Sequence, residues 1–350
     1  MPTTRAARAA AREAAARRLL ELPTDVLALV LYQLSLAHDI AAVAPTCRAL
    51  CDAAKLALKL RPFSGEVVNL AGHTDMVNCV TAVSDGRIIT GSHDRTIKVW
   101  RDGACERTIQ AHIHMVRGVA VVPGGARFVS VANDGSAKVW MLDGTLERTI
   151  QTDGLLFDLA VIDGEHFATG GSQTWVKLFH IDGTLVATLQ GHDGYVLALA
   201  ATPDGQYIIS TSLDETIKVW DVTSKSLLST CEGRNHVHAV AVMPDGQRFL
   251  SGAGDGTVRV WLLDGTLKNL FFRLNDYRAV EALVAMPDNQ HALVGGYSIK
   301  LFNVNDGAVL RTFTHLRGVG SCLALLPDGL RFVSSSGNHA ARIAYHGLAP

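Results

Sequence analysis

The sequence predicts a mostly β chain in which seven four-stranded sheets close into a ring, a propeller, preceded by a small three-helix domain. Three observations carry this prediction. A turn signal of Asp-Gly type recurs seven times at intervals near forty residues, short β-branched runs flank each copy, and residues 22–60 break the rhythm with apolar residues at helical spacing.

The first element is a leader over residues 1–18. Arg5, Arg8, Arg12, Arg17 and Arg18 stand against the single acid Glu13 in an alanine-rich stretch, the pattern of a solvated basic helix. The same composition also fits an organelle-targeting peptide, which stays open as the alternative.

The second element covers residues 20–60. Leu22-Pro23-Thr24-Asp25 is a helix-start signal, and Leu27, Val30, Leu31 and Leu34 follow at helical spacing. A short second helix fits Ala37 to Val43. Pro45 suits the first turn of a third, with Cys47, Leu50, Ala54 and Leu58 on one face. Three helices in about forty residues bury little, so the surplus apolar face predicts a docking surface. A helical cap packed on the rest of the chain is the plainer reading.

The third element fills residues 64–350. The turns are Asp85-Gly86, Gly124-Gly125, Asp163-Gly164, Asp204-Gly205, Asp245-Gly246, Asp288-Asn289 and Asp328-Gly329, spaced by 39, 39, 41, 41, 43 and 40 residues. Apolar runs such as VTAV, VAVV and LAVI precede them. Runs such as RIIT, RFVS and YIIS follow, and then IKVW, AKVW, VKLF, IKVW, VRVW or IKLF. Each unit therefore reads as an antiparallel meander, with a fourth strand after a further Asp-Gly turn such as Asp102-Gly103 or Asp143-Gly144. One such sheet cannot bury both faces, but sheets stacked around an axis can. The seventh unit is too short for a fourth strand, and residues 65–70 are predicted to supply it and close the ring.

Repeats of this kind resemble the WD-repeat family of β-propellers. Gly72-His73, Thr90, Asp94 and Trp100 carry the resemblance in the first repeat; His112, Ser130, Asp134 and Trp140 in the second; Gly191-His192, Ser210, Asp214, Trp220 and Asp221 in the fourth. The fifth keeps Ser251, Asp255 and Trp261 without a histidine. Phe179 and Phe302 replace the tryptophan in the third and sixth, and the seventh offers Asn338 with Ala344 or Tyr345. Residues 22–60 in turn resemble the F-box, through Leu22-Pro23, Asp25-Val26-Leu27, Val30-Leu31, Leu34, Asp39-Ile40, Val43 and Cys47-Arg48. That resemblance implies docking to a Skp-type adaptor, and through it to a cullin, by Leu22, Pro23, Val26, Leu27, Val30, Leu31, Leu34, Cys47 and Leu50. Together the two imply a seven-bladed WD-repeat propeller behind an F-box, the non-catalytic substrate receptor of a ubiquitin ligase. The alternative is a WD-repeat interaction scaffold.

Composition narrows the partners. The 32 basic and 33 acidic residues give a formal charge of -1, so no global field attracts nucleic acid or an anionic membrane. Val26 to Ala37 is about half the length that crosses a bilayer. Six cysteines, Cys47, Cys51, Cys79, Cys105, Cys231 and Cys322, show no CxxC pair and suit the cytoplasm or nucleus. No catalytic motif of the GxSxG or HExxH kind occurs, so neither an enzyme nor a cofactor is expected. His112-x-His114 and His236-x-His238 place imidazoles two apart, as on one strand face, but nothing nearby completes a zinc set. The family register implies a target-binding face from Asn78, His93, Arg117, Asn133, Tyr195, Leu197, Leu213, His236, His238, Tyr277, Arg278 and Arg317. Its arginines and histidines suit an acidic or phosphorylated target.

Overall fold

A computed structural model describes residues 67–348 apart from 272–277, 314–320 and 337–338. The leader 1–18, the predicted helical domain 20–60 with its docking residues Leu22 to Leu50, and Tyr277, Arg317 and Asn338 lie outside the described residues.

Twenty-eight strands among the described residues form seven four-stranded antiparallel sheets. The first blade holds β2 (Val77–Ala82), β3 (Ile88–Ser92), β4 (Thr96–Arg101) and β5 (Ala104–Gln110), in chain order from the axis outward. The next five repeat this plan. Their innermost strands are β6 (Val116–Val121), β10 (Leu156–Val161), β14 (Val196–Ala201), β18 (Val237–Val242) and β22 (Ala282–Ala285). The seventh is assembled from both ends of the ring. It contains β26 (Leu323–Leu325), β27 (Arg331–Ser336), β28 (Ala340–Tyr345) and, outermost, β1 (Val68–Ala71). β1 pairs Val68 with Ile343 and Ala71 with Ala340, so the observed strand begins and ends later than residues 65–70. Each innermost strand touches that of the next blade, and β26 touches β2, which closes the circle.

The reason the ring forms lies in where its apolar residues go. Among the described residues each core lies between two neighbouring blades. Ile89, Ile97 and Val99 of the first blade pack on Val116, Val119, Phe128 and Trp140 of the second, and Leu70 of β1 joins Val77, Ile88, Val333 and Ile343 across the closure. Every sheet is thus buried on both faces by its neighbours, the condition a lone meander could not meet.

The turns follow the residues that can make them. Gly86 adopts φ 88°, and the one turn with asparagine in glycine's place, at Asn289, still reaches φ 59°, which asparagine tolerates. Asp85, Asp204 and Asp245 each accept the backbone N–H two residues on, at 3.1, 3.0 and 2.9 Å. Elsewhere glycine leaves room between blades: a Cβ on Gly91, Gly170 or Gly252 would strike Val116, Val196 or Val280 of the following blade.

Gly171 is tighter still, because a Cβ there would fall on the carbonyl oxygen of Leu155. The equivalent residues of neighbouring blades, Ser92, Ala132, Ser212 and Ala253, all carry one. Gly171→Ala is therefore expected to shift the backbone of the third blade and to cost about 2 kcal/mol. Thermal denaturation measures this, and an unchanged melting temperature refutes it.

Three blades are pinned internally by a polar chain. In the first, Trp100 Nε1–H donates to Thr90 Oγ1 at 2.8 Å, Thr90 lies 2.7 Å from His73 Nε2, and His73 Nδ1 lies 2.8 Å from Asp94. The second repeats it through Trp140, Ser130, His112 and Asp134, and the fourth through Trp220, Ser210, His192 and Asp214. Donor counting fixes one tautomer: the hydroxyl accepts from indole, so it donates to Nε2, and Nδ1–H is left for the carboxylate. In the third and sixth blades Phe179 and Phe302 take the indole's place as buried packing residues, and in the seventh it is Ala344, not Tyr345, that lies opposite Phe332.

Candidate functional site

The inner strands of five blades share one irregularity. Their register slips by one residue between Val77 and Cys79, Val116 and Gly118, Leu156 and Asp158, Val196 and Ala198, and Val237 and Ala239. The bulged residues are Asn78, Arg117, Phe157, Leu197 and His238. A bulge re-aims the side chain it carries, and here it does so at the equivalent position of five successive inner strands.

The bulged residues do different work. Asn78 donates its amide to the Val116 carbonyl at 2.8 Å and so ties the first blade to the second. Arg117 sets its guanidinium 5.5 Å from the Phe157 ring centroid, and Phe157 meets Tyr195 edge-on at 6.1 Å. Arg117 Nε and Asn133 Oδ1 are both buried, without a hydrogen-bond partner among the described residues. His93 sits in the turn after β3, with its backbone N–H on the Met76 carbonyl at 2.8 Å. The His236 ring lies with Nδ1 2.9 Å from the Leu213 carbonyl. Arg278 stacks over Tyr297 at 4.6 Å.

Two groupings emerge from the predicted set. Arg117 and Tyr195 share the Phe157 ring, while Arg278 pairs with Tyr297 on the sixth blade. Phe157, Tyr297 and Ile113, which is 76% exposed, are surface residues that the sequence reading missed. Phe157 was findable, since LFDL occupies the register of VNCV and VRGV. The histidine pairs are corrected. His112 and His114 precede β6 and His236 precedes β18, so neither pair lies on one strand face; His112 is moreover consumed by Asp134 and Ser130. Among the described residues no group of three or more His, Cys, Asp or Glu is placed to hold a metal ion.

On the strand that carries Phe157 lies Asp158. Burial pushes its carboxyl up to about 6, against the opposing pull of the Leu199 N–H at 2.8 Å and of Arg117. Burial likewise raises the thiols of Cys79 and Cys322, the latter to about 11, which keeps them protonated and unreactive near neutrality.

With the ring and its pinned blades in view, the comparisons are specific. The family model for the WD domain, G-beta repeat, matches residues 65–101, 103–141, 183–221 and 225–261. The ring is a seven-bladed propeller of WD40 repeats. Each match ends at a tryptophan or the residue after it, Trp100, Trp140, Trp220 or Trp261, and the unmatched repeats are those carrying Phe179, Phe302 and Ala344. No F-box model matches residues 22–60. Among curated proteins, nuclear distribution protein PAC1 of Arthroderma benhamiae is 29% identical over 210 residues, 49% of this chain and 46% of that protein. Pre-mRNA-processing factor 19 homolog 2 of Arabidopsis thaliana is 32% identical over 183 residues, 47% of this chain and 35% of that protein. Nuclear distribution protein nudF of Emericella nidulans is 28% identical over 194 residues, 47% and 44% of the two chains. The chain spans less than half the length of these relatives.

Proposed function

We propose that this chain is a non-catalytic interaction scaffold whose WD40 propeller holds a partner protein against Arg117, Phe157 and Tyr195. One observation supports it above the rest. Arg117, Phe157 and Tyr195, from three successive blades, make one cation–aromatic patch in which Tyr195 is 48% exposed, the usual make-up of an interface hot spot. The compartment proposed is the cytoplasm or nucleus, as the relatives include nuclear distribution proteins and a pre-mRNA-processing factor homologue.

The test is quantitative proximity labelling with the full chain against a variant carrying Arg117→Ala, Tyr195→Ala and Arg278→Ala. Each truncation of a hot-spot residue costs about 2 kcal/mol, or roughly 30-fold in affinity, so partners enriched by the native chain should vanish from the variant. Undiminished enrichment rejects the face. Phosphatase treatment before capture shows whether the partner is phosphorylated.

The narrower reading, a ubiquitin-ligase receptor joined to a Skp-type adaptor and a cullin, rests on the residue pattern of Leu22 to Leu50. The relatives' names favour the scaffold. Co-purification with a Skp adaptor, lost on Leu27→Asp with Leu31→Asp, would restore the ligase reading.

A further inference from the structure

The fifth blade lacks its histidine, and a charged cleft lies beside its Asp255. His73, His112 and His192 each stand five residues ahead of a bulged residue, and the residue five ahead of His238 is Gly233. In the complete blades the aspartate accepts both the imidazole and the following backbone N–H, as Asp94 does from His73 and Thr74. Asp255 is bonded among the described residues only by the N–H and hydroxyl of Thr257, at 3.0 and 2.7 Å. Arg259 turns in beside it and donates from Nη1 to Thr257 Oγ1 at 2.9 Å, where the imidazoles of His73 and His192 lie 3.2 Å from Thr96 and Thr216.

Beside this network a cleft of about 550 Å³ opens between the outer strands of the fourth and fifth blades. Arg259, Arg234, Glu232 and Asp255 line it together with Leu267, Leu270 and Trp261.

Arg259 differs from the counterparts in the first four blades and the sixth. At its position five other blades carry lysine and the seventh carries Arg342; four of the lysines find an oxygen, Lys98 at Thr108 (2.7 Å), Lys138 at the Ala111 carbonyl (2.7 Å), Lys177 at Asp153 (2.8 Å) and Lys218 at Thr230 (3.2 Å). Arg259 is only 5% exposed, yet its one hydrogen-bond partner among the described residues is the neutral Thr257 hydroxyl. Neither Asp255 nor Glu232 forms an ion pair with it or with Arg234 among the described residues. Asp255 attracts it without a direct hydrogen bond, and a guanidinium held out of water with most of its N–H groups unfilled is costly unless something pairs with them.

We propose that this cleft anchors a carboxylate of an acidic partner peptide, gripped by the guanidinium groups of Arg259 and Arg234, with an apolar neighbour of that residue against Leu267 and Leu270. The planar fork of arginine matches the two oxygens of a carboxylate, which a lysine cannot. The carboxylates of Glu232 and Asp255 set the limit on charge: a singly charged acid is accommodated between the two arginines, while a doubly charged phosphate meets repulsion from both. The volume suits a few side chains. This site is independent of the Arg117 patch.

The probe is a fluorescein-labelled octapeptide of alternating Glu and Leu, titrated into the full-length protein and followed by fluorescence anisotropy. Two analogues replace every Glu with Gln or with phosphoserine. Arg234→Ala removes an exposed side chain, and Arg259→Lys installs the residue that five other blades carry, so both variants should keep the native melting temperature. Each is expected to weaken binding of the Glu peptide at least tenfold, the Gln peptide should bind at least tenfold more weakly to the native chain, and Arg117→Ala should change nothing. Absent binding of the Glu peptide, equal binding by the variants, or equal binding of the Gln peptide overturns the site. Tighter binding of the phosphoserine peptide overturns the carboxylate assignment.

Discussion

A chain lacking residues 68–71 is expected to lose the cooperative thermal transition of the propeller. β1 is the outermost strand of the seventh blade and reaches it from the opposite end of the ring, so it fastens the circle. Without it, β28 presents an unpaired edge, and Ile343 and Ala341 lose the cover of Leu70. A milder probe is Leu70→Ala. Leu70 is fully buried, and large-to-small changes at such sites cost about 3 kcal/mol, or roughly 6–12 °C in a domain of this size. Calorimetry of both variants measures the effect. A deletion that melts at the native temperature would show that the ring does not depend on this strand.

Asp94→Ala should be nearly as damaging, and its effect should fade with acid. The substitution strands the ring N–H of His73, the backbone N–H of Thr74 and the hydroxyl of Thr96, so about 3–5 kcal/mol of stability should go at pH 7. Burial alone would raise the Asp94 carboxyl, but bonds from Thr96, the Thr74 N–H and His73 outweigh it and hold the group at about 2; Asp214 behaves alike. A carboxyl depressed in the folded state contributes stability that is present above its unfolded value near 4 and lost as pH falls toward 2. At Asp94 this amounts to roughly 2 kcal/mol. The three imidazoles add in the same direction: burial lowers His73, His112 and His192, so their contribution is full above about 6.5 and shrinks on acidification. Asp158 works oppositely, since its raised carboxyl gains folded-state protons between about 6 and 4. Urea unfolding of native and Asp94→Ala chains from pH 7 to pH 2.5 should therefore show the gap between them narrowing below pH 4. A constant gap would mean that Asp94 is not held ionised by the network.

Local chemistry explains how much of the fold was legible. The Asp-Gly turns and the alternating runs between them act within a few residues, so their forty-residue period was visible without any long-range information. The Trp-hydroxyl-His-Asp sets could be read in the same way, because each joins residues within one repeat. The missing histidine of the fifth repeat was legible too, but the bond from Arg259 to Thr257 was not, because the direction a side chain takes is a three-dimensional quantity.

The candidate face divides along the same line. Asn78, Arg117, Tyr195, His238 and Arg278 were nameable from their register. The amide of Asn78 proves to be spent on the Val116 carbonyl, and the pairing of Arg117 with Phe157 links residues forty positions apart on different blades.

By itself the sequence determined the repeat, the turn geometry and the residues that pin each blade, since these follow from backbone preference and hydrogen-bond valence over short spans. Only the tertiary structure decided which strand closes the ring, which polar atoms are buried without partners, and where a cleft opens. Those depend on the neighbouring blade, which the chain reaches only after the whole circle is built.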